Sequence, residues 1–572
     1  MSRRPTRAAA LAVSACLVLA ACSGEDNPDD AETPTSEPSP ERGEVQPPAG
    51  TAAVLTGDDG ELALAASRTF FAQAPVVVLA DDAEPASRLR ASSVSLALGA
   101  PVLLDDDAAA LTEELGRLEA GWVLTVGDAA VPEDVGDAVV VPAPADDAAL
   151  AEDLGLPAGE PVEVADGEEV AAVVGLERGE LTPLAAAAGP ATDETTDQAT
   201  QTDQATDTAT DEATTDAGDE ELPETELPAP VPGTLALTTG APEELLATAT
   251  ARAAGADVAV VPGADPRATS ESVTAVSESG AEHVVGLGDA FGDDETFAWR
   301  TATAASGVEL PGGGQLVFPG KRYVALYGSP VTPALGVLGE QGTEATIARA
   351  EEHAEPYEEL TEDTVVPALE IIATVASSSA GDDGNYSNEW PADDLRPLVE
   401  AAGEAGQYVV LDLQPGRSSF LEQAQLYAEL LELPYVGLAL DPEWNLGPDE
   451  RHMVRIGSVT AEEVNEVVDW LADFTRERNL PQKMLVLHQF QVRMIDTVPE
   501  VDLSRSELAV LIHADGQGGQ SAKQDTWRTL HEYGPDIEWW GWKNFYDEDS
   551  PMLTPEQTMS QVDPAPHFIT YQ

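Results

Sequence analysis

The stretch "YVGLALDPEWNL" (residues 435–446) begins as an apolar strand and ends in two carboxylates around a proline, followed by a tryptophan. Side chains two apart on a strand point the same way, so Asp441 and Glu443 are expected to share one direction and repel each other. A turn needs one acid at most. What lies opposite the end of this strand therefore decides both the fold and the chemistry, and the surrounding sequence supplies the neighbours. Strand-like runs appear at "RYVALYG" (322–328), "VVPALEIIATV" (365–375), "YVVLDLQ" (408–414) and "YVGLALDPE" (435–443). They continue at "MLVLHQF" (484–490), "LAVLIHAD" (508–515), "IEWWGWKNF" (537–545) and "HFITYQ" (567–572).

Helical segments separate most of these runs. In "TAEEVNEVVDWLADFTRERN", Thr460 and Glu463 have capping-box spacing, and Val464, Val467, Val468, Leu471 and Phe474 make a stripe at helical period. Eight β-runs alternating with helices place residues 321–572 in the α/β class as a (β/α)8 barrel-like domain. A doubly wound open sheet is the competitor, but it does not require eight such regular units.

In barrels of this kind the chemistry sits at the C-terminal ends of the strands. Those ends read Tyr327, Glu370, Asp412 with Gln414, Asp441 with Glu443, His488 with Gln489, His513 with Asp515, and Lys543 with Asn544. Three readings compete for this ring. In the first, two carboxylates flank a glycosidic bond. Glu443 is then the general acid, its pKa raised by Asp441 and by burial near Trp444, with Glu370 and Asp412 as further catalytic carboxylates. Substrate contacts fall to Tyr327, Gln414, Trp444, His488, Gln489, Asp515, Trp542 and Lys543. Seven of the nine tryptophans lie between residues 390 and 542, and Trp390, Trp444 and Trp542 stand next to strand ends where they could stack on sugar faces. The second reading is a metal-dependent hydrolase using Glu370, His488, His513 and Asp515, although HxH and HxxxH spacings are missing. The third is a non-catalytic binding barrel, its polar ring a satisfied buried network.

"LALDPEW" resembles the Asp-x-Glu strand end of the barrel-shaped lysozyme-type muramidases over three residues. Those enzymes also carry an aspartate on the first strand, where this chain has Tyr327-Gly328-Ser329, so a full muramidase site is not implied.

Upstream, residues 51–190 alternate strand and helix: "APVVVLAD", "ASRLRASSVSLALG", "APVLLDD", "ALTEELGRLEAG" and "WVLTVGDAAV". This βαβαβ order favours a parallel sheet covered by helices. After a Thr/Asp/Ala-rich low-complexity linker (191–232), the phrase recurs in diverged form over 233–320, as "ADVAVVPGAD" and "SESVTAVSESGAEHVVGLGDAF". Leu79-Ala80, Gly99-Ala100-Pro101, Leu103-Leu104 and Gly127-Asp128 make the region resemble the type 2 cell wall binding repeat family of exported Gram-positive proteins. Here "EPASRLR" replaces that family's Asp-Ala-Leu, Asp128 replaces its second glycine, and two copies are found where three are usual. The resemblance implies cell-wall polysaccharide or peptidoglycan as partner.

The leader "MSRRPTRAAALAVSACLVLAAC" (1–22) pairs a basic start with a short apolar core. Its Leu19-Ala20-Ala21-Cys22 close resembles a bacterial lipobox. That implies cleavage before Cys22, lipid on its thiol, and anchoring to the outer face of the cytoplasmic membrane. Residues 23–50 read as an acidic, proline-rich tether. Cys16 and Cys22 are the only cysteines, so thiol catalysis and cysteine-bound metals are excluded downstream of the leader. With 27 Lys+Arg against 105 Asp+Glu and a formal net charge of −78, nucleic acid is excluded as a partner. No motif assigns a metal or an organic cofactor; a divalent cation is the one cofactor the ring could take.

Overall fold

The computed structural model describes residues 42–187 and 224–572. The leader with Cys22, and most of the Thr/Asp/Ala linker, lie outside the described residues. No helix among the described residues is long and apolar enough to cross a membrane.

The barrel forms from all eight runs. Its strands are Lys321–Gly328, Thr364–Ala376, Tyr408–Leu413, Val436–Leu440, Lys483–Gln489, Leu508–Ala514, Trp539–Asn544 and Phe568–Tyr571. Each pairs in parallel with the next, and the first pairs with both the second and the eighth, which closes the sheet. The strands read as nearly continuous apolar runs because both faces are buried. One set of alternate residues, including Val324, Leu326, Leu369, Val409, Leu411, Leu438 and Leu485, packs outward beneath the helices. The other set, including Tyr323, Ala325, Ala368, Tyr408, Val410, Ala439, Val486 and Leu511, fills the interior. The helix Ala461–Glu477 carries the expected capping box from Thr460 to Glu463 and buries Val464, Val467, Val468, Leu471 and Phe474.

This alternation fixes what reaches the mouth. Two residues beyond the interior positions Ala325, Ala368, Val410, Val486 and Leu511 come Tyr327, Glu370, Asp412, His488 and His513, all buried and all on the inner face. The first strand ends in Gly328 because a backbone bridge to Gly336 crosses there; a Cβ at Gly328 would sit 2.6 Å from the Leu335 carbonyl. An aspartate could not take that place.

The strand period stops short of the opening motif. The fourth strand ends at Leu440, and Pro442–Trp444 form a single 3₁₀ turn, with the Glu443 N–H donating to Asp441 Oδ1 at 3.3 Å. Asp441 and Glu443 are therefore related by a proline-initiated turn, and not by the i, i+2 geometry of a strand.

Upstream stand two four-stranded parallel sheets of matching order. In the first, Val102–Leu104, Val76–Ala80, Trp122–Val126 and Val139–Pro142 lie side by side. In the second the order is Asp257–Val260, Thr234–Thr238, His283–Leu287 and Ala52–Leu55. The recurring phrase supplies two strands of the second sheet, Asp257–Val260 and His283–Leu287. Thr234–Thr238, which lies between them, is not part of that phrase, and the fourth strand comes from the N-terminal segment, paired with His283–Leu287. The ends of the expected tether and linker are tied down. Glu44–Val45 pairs with Phe71–Gln73, Val231 is buried, and Arg178 Nη2 donates to the Pro228 carbonyl at 3.1 Å. Trp299 joins this part to the barrel, with the guanidiniums of Arg267 at 4.4 Å and Arg476 at 4.7 Å from its ring centroid.

Candidate functional site

A cavity of about 1020 Å³ opens at the C-terminal ends of the barrel strands. Of the residues singled out in the sequence, Tyr327, Gln414, Asp441, Glu443, Trp444, Asp515 and Lys543 line it. Glu370, Asp412, His488 and His513 form a fully buried layer directly beneath. The two layers are joined by hydrogen bonds. Asp515 Oδ2 lies 3.1 Å from His488 Nδ1, and His488 Nε2 lies 2.7 Å from Glu370 Oε1. Beside this chain, the Tyr327 hydroxyl donates to Asp412 Oδ2 at 2.8 Å. The His513 ring meets His488 edge-on, with Nδ1 atoms 3.3 Å apart, and its Nε2 lies 3.2 Å from Thr570 Oγ1.

These contacts set the charges. Burial by itself lowers the pKa of His488, but the carboxylates of Glu370 and Asp515 prevail and hold it well above the ordinary value, so the ring is an imidazolium. Burial and then the charge of His488 drive His513 well below its ordinary value, so it is neutral. Burial pushes Asp412 up to about 6, with the positive charge of His488 opposing the rise. Asp441 is raised well above the carboxylate range, first by burial and then by Glu443. Glu443 is pushed up to about 7 by burial and the charge of Asp515, against Lys543 and His488. Asp515, two barrel strands further along the chain, is thus the main carboxylate acting on Glu443; the sequence pointed to its neighbour Asp441.

Other expected residues stand elsewhere. Trp542 is 1% exposed and is drawn into the shell between strands and helices, 5.7 Å from Trp527, because its strand turns it outward. Trp390 packs against the same shell. Gln489 is buried off the cavity, its amide donating to the Val492 carbonyl at 3.0 Å. Trp444 is the tryptophan that reaches the cavity, with His452 edge-on at 5.5 Å. Conversely, Phe490, Arg493, Arg455 and Phe545 also line the cavity. Phe490 and Phe545 directly follow the strand ends Gln489 and Asn544; both close the apolar runs 484–490 and 537–545, where a phenylalanine carries no signal of a site. Arg455 comes from a loop and Arg493 from the 3₁₀ turn Val492–Met494, neither with a local signal in the sequence.

Glu370, His488 and His513 offer donor atoms within 4.8 Å of one another, the one such group among the described residues. Both His488 nitrogens are already engaged, one with Glu370 and one with Asp515. The donor set fits a proton-holding network better than a divalent cation site.

No family model matches this chain, and no curated protein matches it. Among solved structures it is similar to Cwp6 from Clostridium difficile, at 13% identity and a TM-score of 0.32, covering 67% of this chain. The chain spans 65% of the length of that protein. A likeness this loose carries no argument about fold or role.

Proposed function

We propose that this chain is an exported lipoprotein, anchored through Cys22 and associated with the cell wall, whose barrel hydrolyses a glycan of the cell envelope. Glu443 is the general acid. The observation that carries the catalytic part is its place on a large cavity with a pKa pushed up to about 7, facing the charge of Asp515. A carboxylic acid still protonated near neutral pH can protonate a leaving oxygen. Asp515 supplies the second carboxylate. It accepts from the His488 imidazolium with one oxygen, while the other has no hydrogen-bond partner among the described residues. Glu370 and Asp412 hold His488 and Tyr327 from below, and Asp441 positions Glu443 by accepting its backbone N–H. Trp444 offers an apolar face to a sugar ring. The wall and membrane parts of the reading rest on the repeat phrase and on the Leu-Ala-Ala-Cys close of the leader.

The test is digestion of purified cell-wall glycan by the full chain, with release of reducing ends measured for wild type and Glu443→Gln. Turnover by the wild type and its loss in the variant is the expected result. Binding without cleavage by the wild type would leave a non-catalytic barrel. Cys22→Ser should move the protein from the membrane fraction into the medium; retention in the membrane would refute the anchor.

A further inference from the structure

Four lysines occur in the chain, and three of them hold oxygen atoms. Lys321 donates to the Leu316 carbonyl at 2.9 Å, Lys483 to the carbonyls of Leu433 and Val436 at 2.9 and 3.0 Å, and Lys523 to Asp549 at 2.5 Å. Lys543 differs. It is 3% exposed and lines the cavity, and its Nζ stands 3.3 Å from the centroid of the Tyr327 ring. Among the described residues it makes no ion pair within 4.0 Å. The aromatic face supports the charge from one side, but an ammonium has three N–H donors that want oxygen. In a chain with 105 acidic residues, a buried cation that feels Glu443 and Asp412 but has no carboxylate within ion-pair distance among the described residues points outward to a ligand. Arg493, exposed on the same cavity, is likewise free of ion pairs among the described residues.

We propose that Lys543, with Arg493 at the rim, receives the carboxylate of an acidic sugar, so that the glycan taken by this cavity is an anionic one. The proposal rests on the glycan reading above and names the substrate class of the same site. A single negative charge suits the place: Glu443, Asp441 and Asp515 line the same cavity, and a phosphate dianion would meet them at close range. The contact also couples recognition to chemistry. A carboxylate seated on Lys543 adds negative charge beside Glu443 and favours the protonated form that a general acid needs.

The experiment compares one oligosaccharide bearing carboxylate sugars with the same oligosaccharide after reduction of its carboxyls to alcohols, using the full chain. The wild type should favour the acidic form in kcat/KM by roughly 10- to 100-fold, the range for a hydrogen bond between charged groups. Lys543→Gln should bring that ratio close to one, whatever happens to the absolute rate. Arg493→Gln, at an exposed position, should lower the ratio by a smaller factor and serves if Lys543→Gln does not fold. Raising ionic strength should erode the preference. A ratio unchanged in both variants, equal use of the two oligosaccharides by the wild type, or a preference for a phosphorylated counterpart would each overturn the subsite. Cleavage of the neutral form alone keeps the glycan reading and removes the subsite. Failure to bind or cleave either form removes both.

Discussion

In the sheet built around Val76–Ala80, the acids beyond the strand ends are turned toward backbone. Asp81 accepts from the N–H groups of Ala83 and Asp128, and Asp105 from those of Asp82 and Ala130. In the second sheet Glu244 accepts from the Thr239 N–H and from the hydroxyls of Thr238 and Thr239. In the barrel the acids at equivalent places face other ionisable groups, and Glu370 Oε2, Asp412 Oδ1 and Asp515 Oδ1 have no hydrogen-bond partner among the described residues. Both regions are parallel α/β structures with acids after apolar strands. Closure makes the difference. An open sheet spreads its strand ends along a line, where each acid can serve its own turn. A closed one brings eight ends around a single volume, where acids must share charge.

The comparison can be broken most decisively at Glu443. If the barrel acids act on substrate, Glu443→Gln should lower glycan turnover by about 10²–10⁴-fold while the melting temperature stays level or rises. A fall in melting temperature with turnover intact would make Glu443 a structural acid like those of the open sheets. His488 comes next. It holds Glu370 on one side and Asp515 on the other and is fully buried. His488→Gln leaves those carboxylates without a cation and should cost about 3–5 kcal/mol of stability, read by denaturant unfolding. A loss under 1 kcal/mol would mean that water already serves those carboxylates.

Glu244 sharpens the other side of the comparison. Its carboxylate is 2% exposed and satisfies three donors on Thr238 and Thr239. Glu244→Ala strands those donors and should cost about 1–3 kcal/mol with glycan turnover unaltered, since it lies on a different sheet from the cavity. Loss of turnover at unchanged stability would show that the open sheets contribute to the chemistry.

Most of the barrel was legible because each strand buries two faces, and a run such as Val409–Leu413 can satisfy that only as a central parallel strand. The inner ring was legible for the same reason: Glu370 and Asp412 follow the period-2 alternation from Ala368 and Val410. What failed to show lies where that period ends. Pro442 turns Asp441 and Glu443 off the strand, and no local pattern places Asp515 against Glu443, because that approach depends on curvature closing the sheet. Trp542 misled for a simple geometric reason, being one residue out of phase with Lys543, so the lysine faces the cavity and the indole the shell. The fourth strand of the second sheet, Ala52–Leu55, was hidden by more than two hundred residues of intervening chain.

The smallest effects separate the two regions by sign. Glu443 has its pKa raised from 4.5 to about 7, first by burial and then by Asp515. The fold therefore prefers its protonated form, and the stability this gives is fully present below about 4.5 and lost as pH rises toward 7. Glu443→Gln removes that loss. Its melting temperature minus that of the wild type should be near zero at pH 4.5, grow through pH 6 and level off above pH 7. Asp293, which caps the helix Asp294–Ala304 after the second sheet, behaves oppositely. Its carboxylate accepts the Thr296 N–H at 2.9 Å, and these backbone and hydroxyl contacts hold its pKa below 3.8. Its stability is present above 3.8 and disappears as pH falls through the lowered value. Asparagine caps a helix about as well, so Asp293→Asn should lose only the charge contribution. The variant should melt slightly below the wild type at pH 7, with the difference shrinking as pH falls below 3.8 toward the lowered value and shrinking in high salt, because the group is fully exposed. Two melting series across pH 3–8 measure both slopes. Opposite signs are expected from a strand-end acid held dry among like charges and one that serves a turn in water, and a shared sign would mean that closure has not set the two apart.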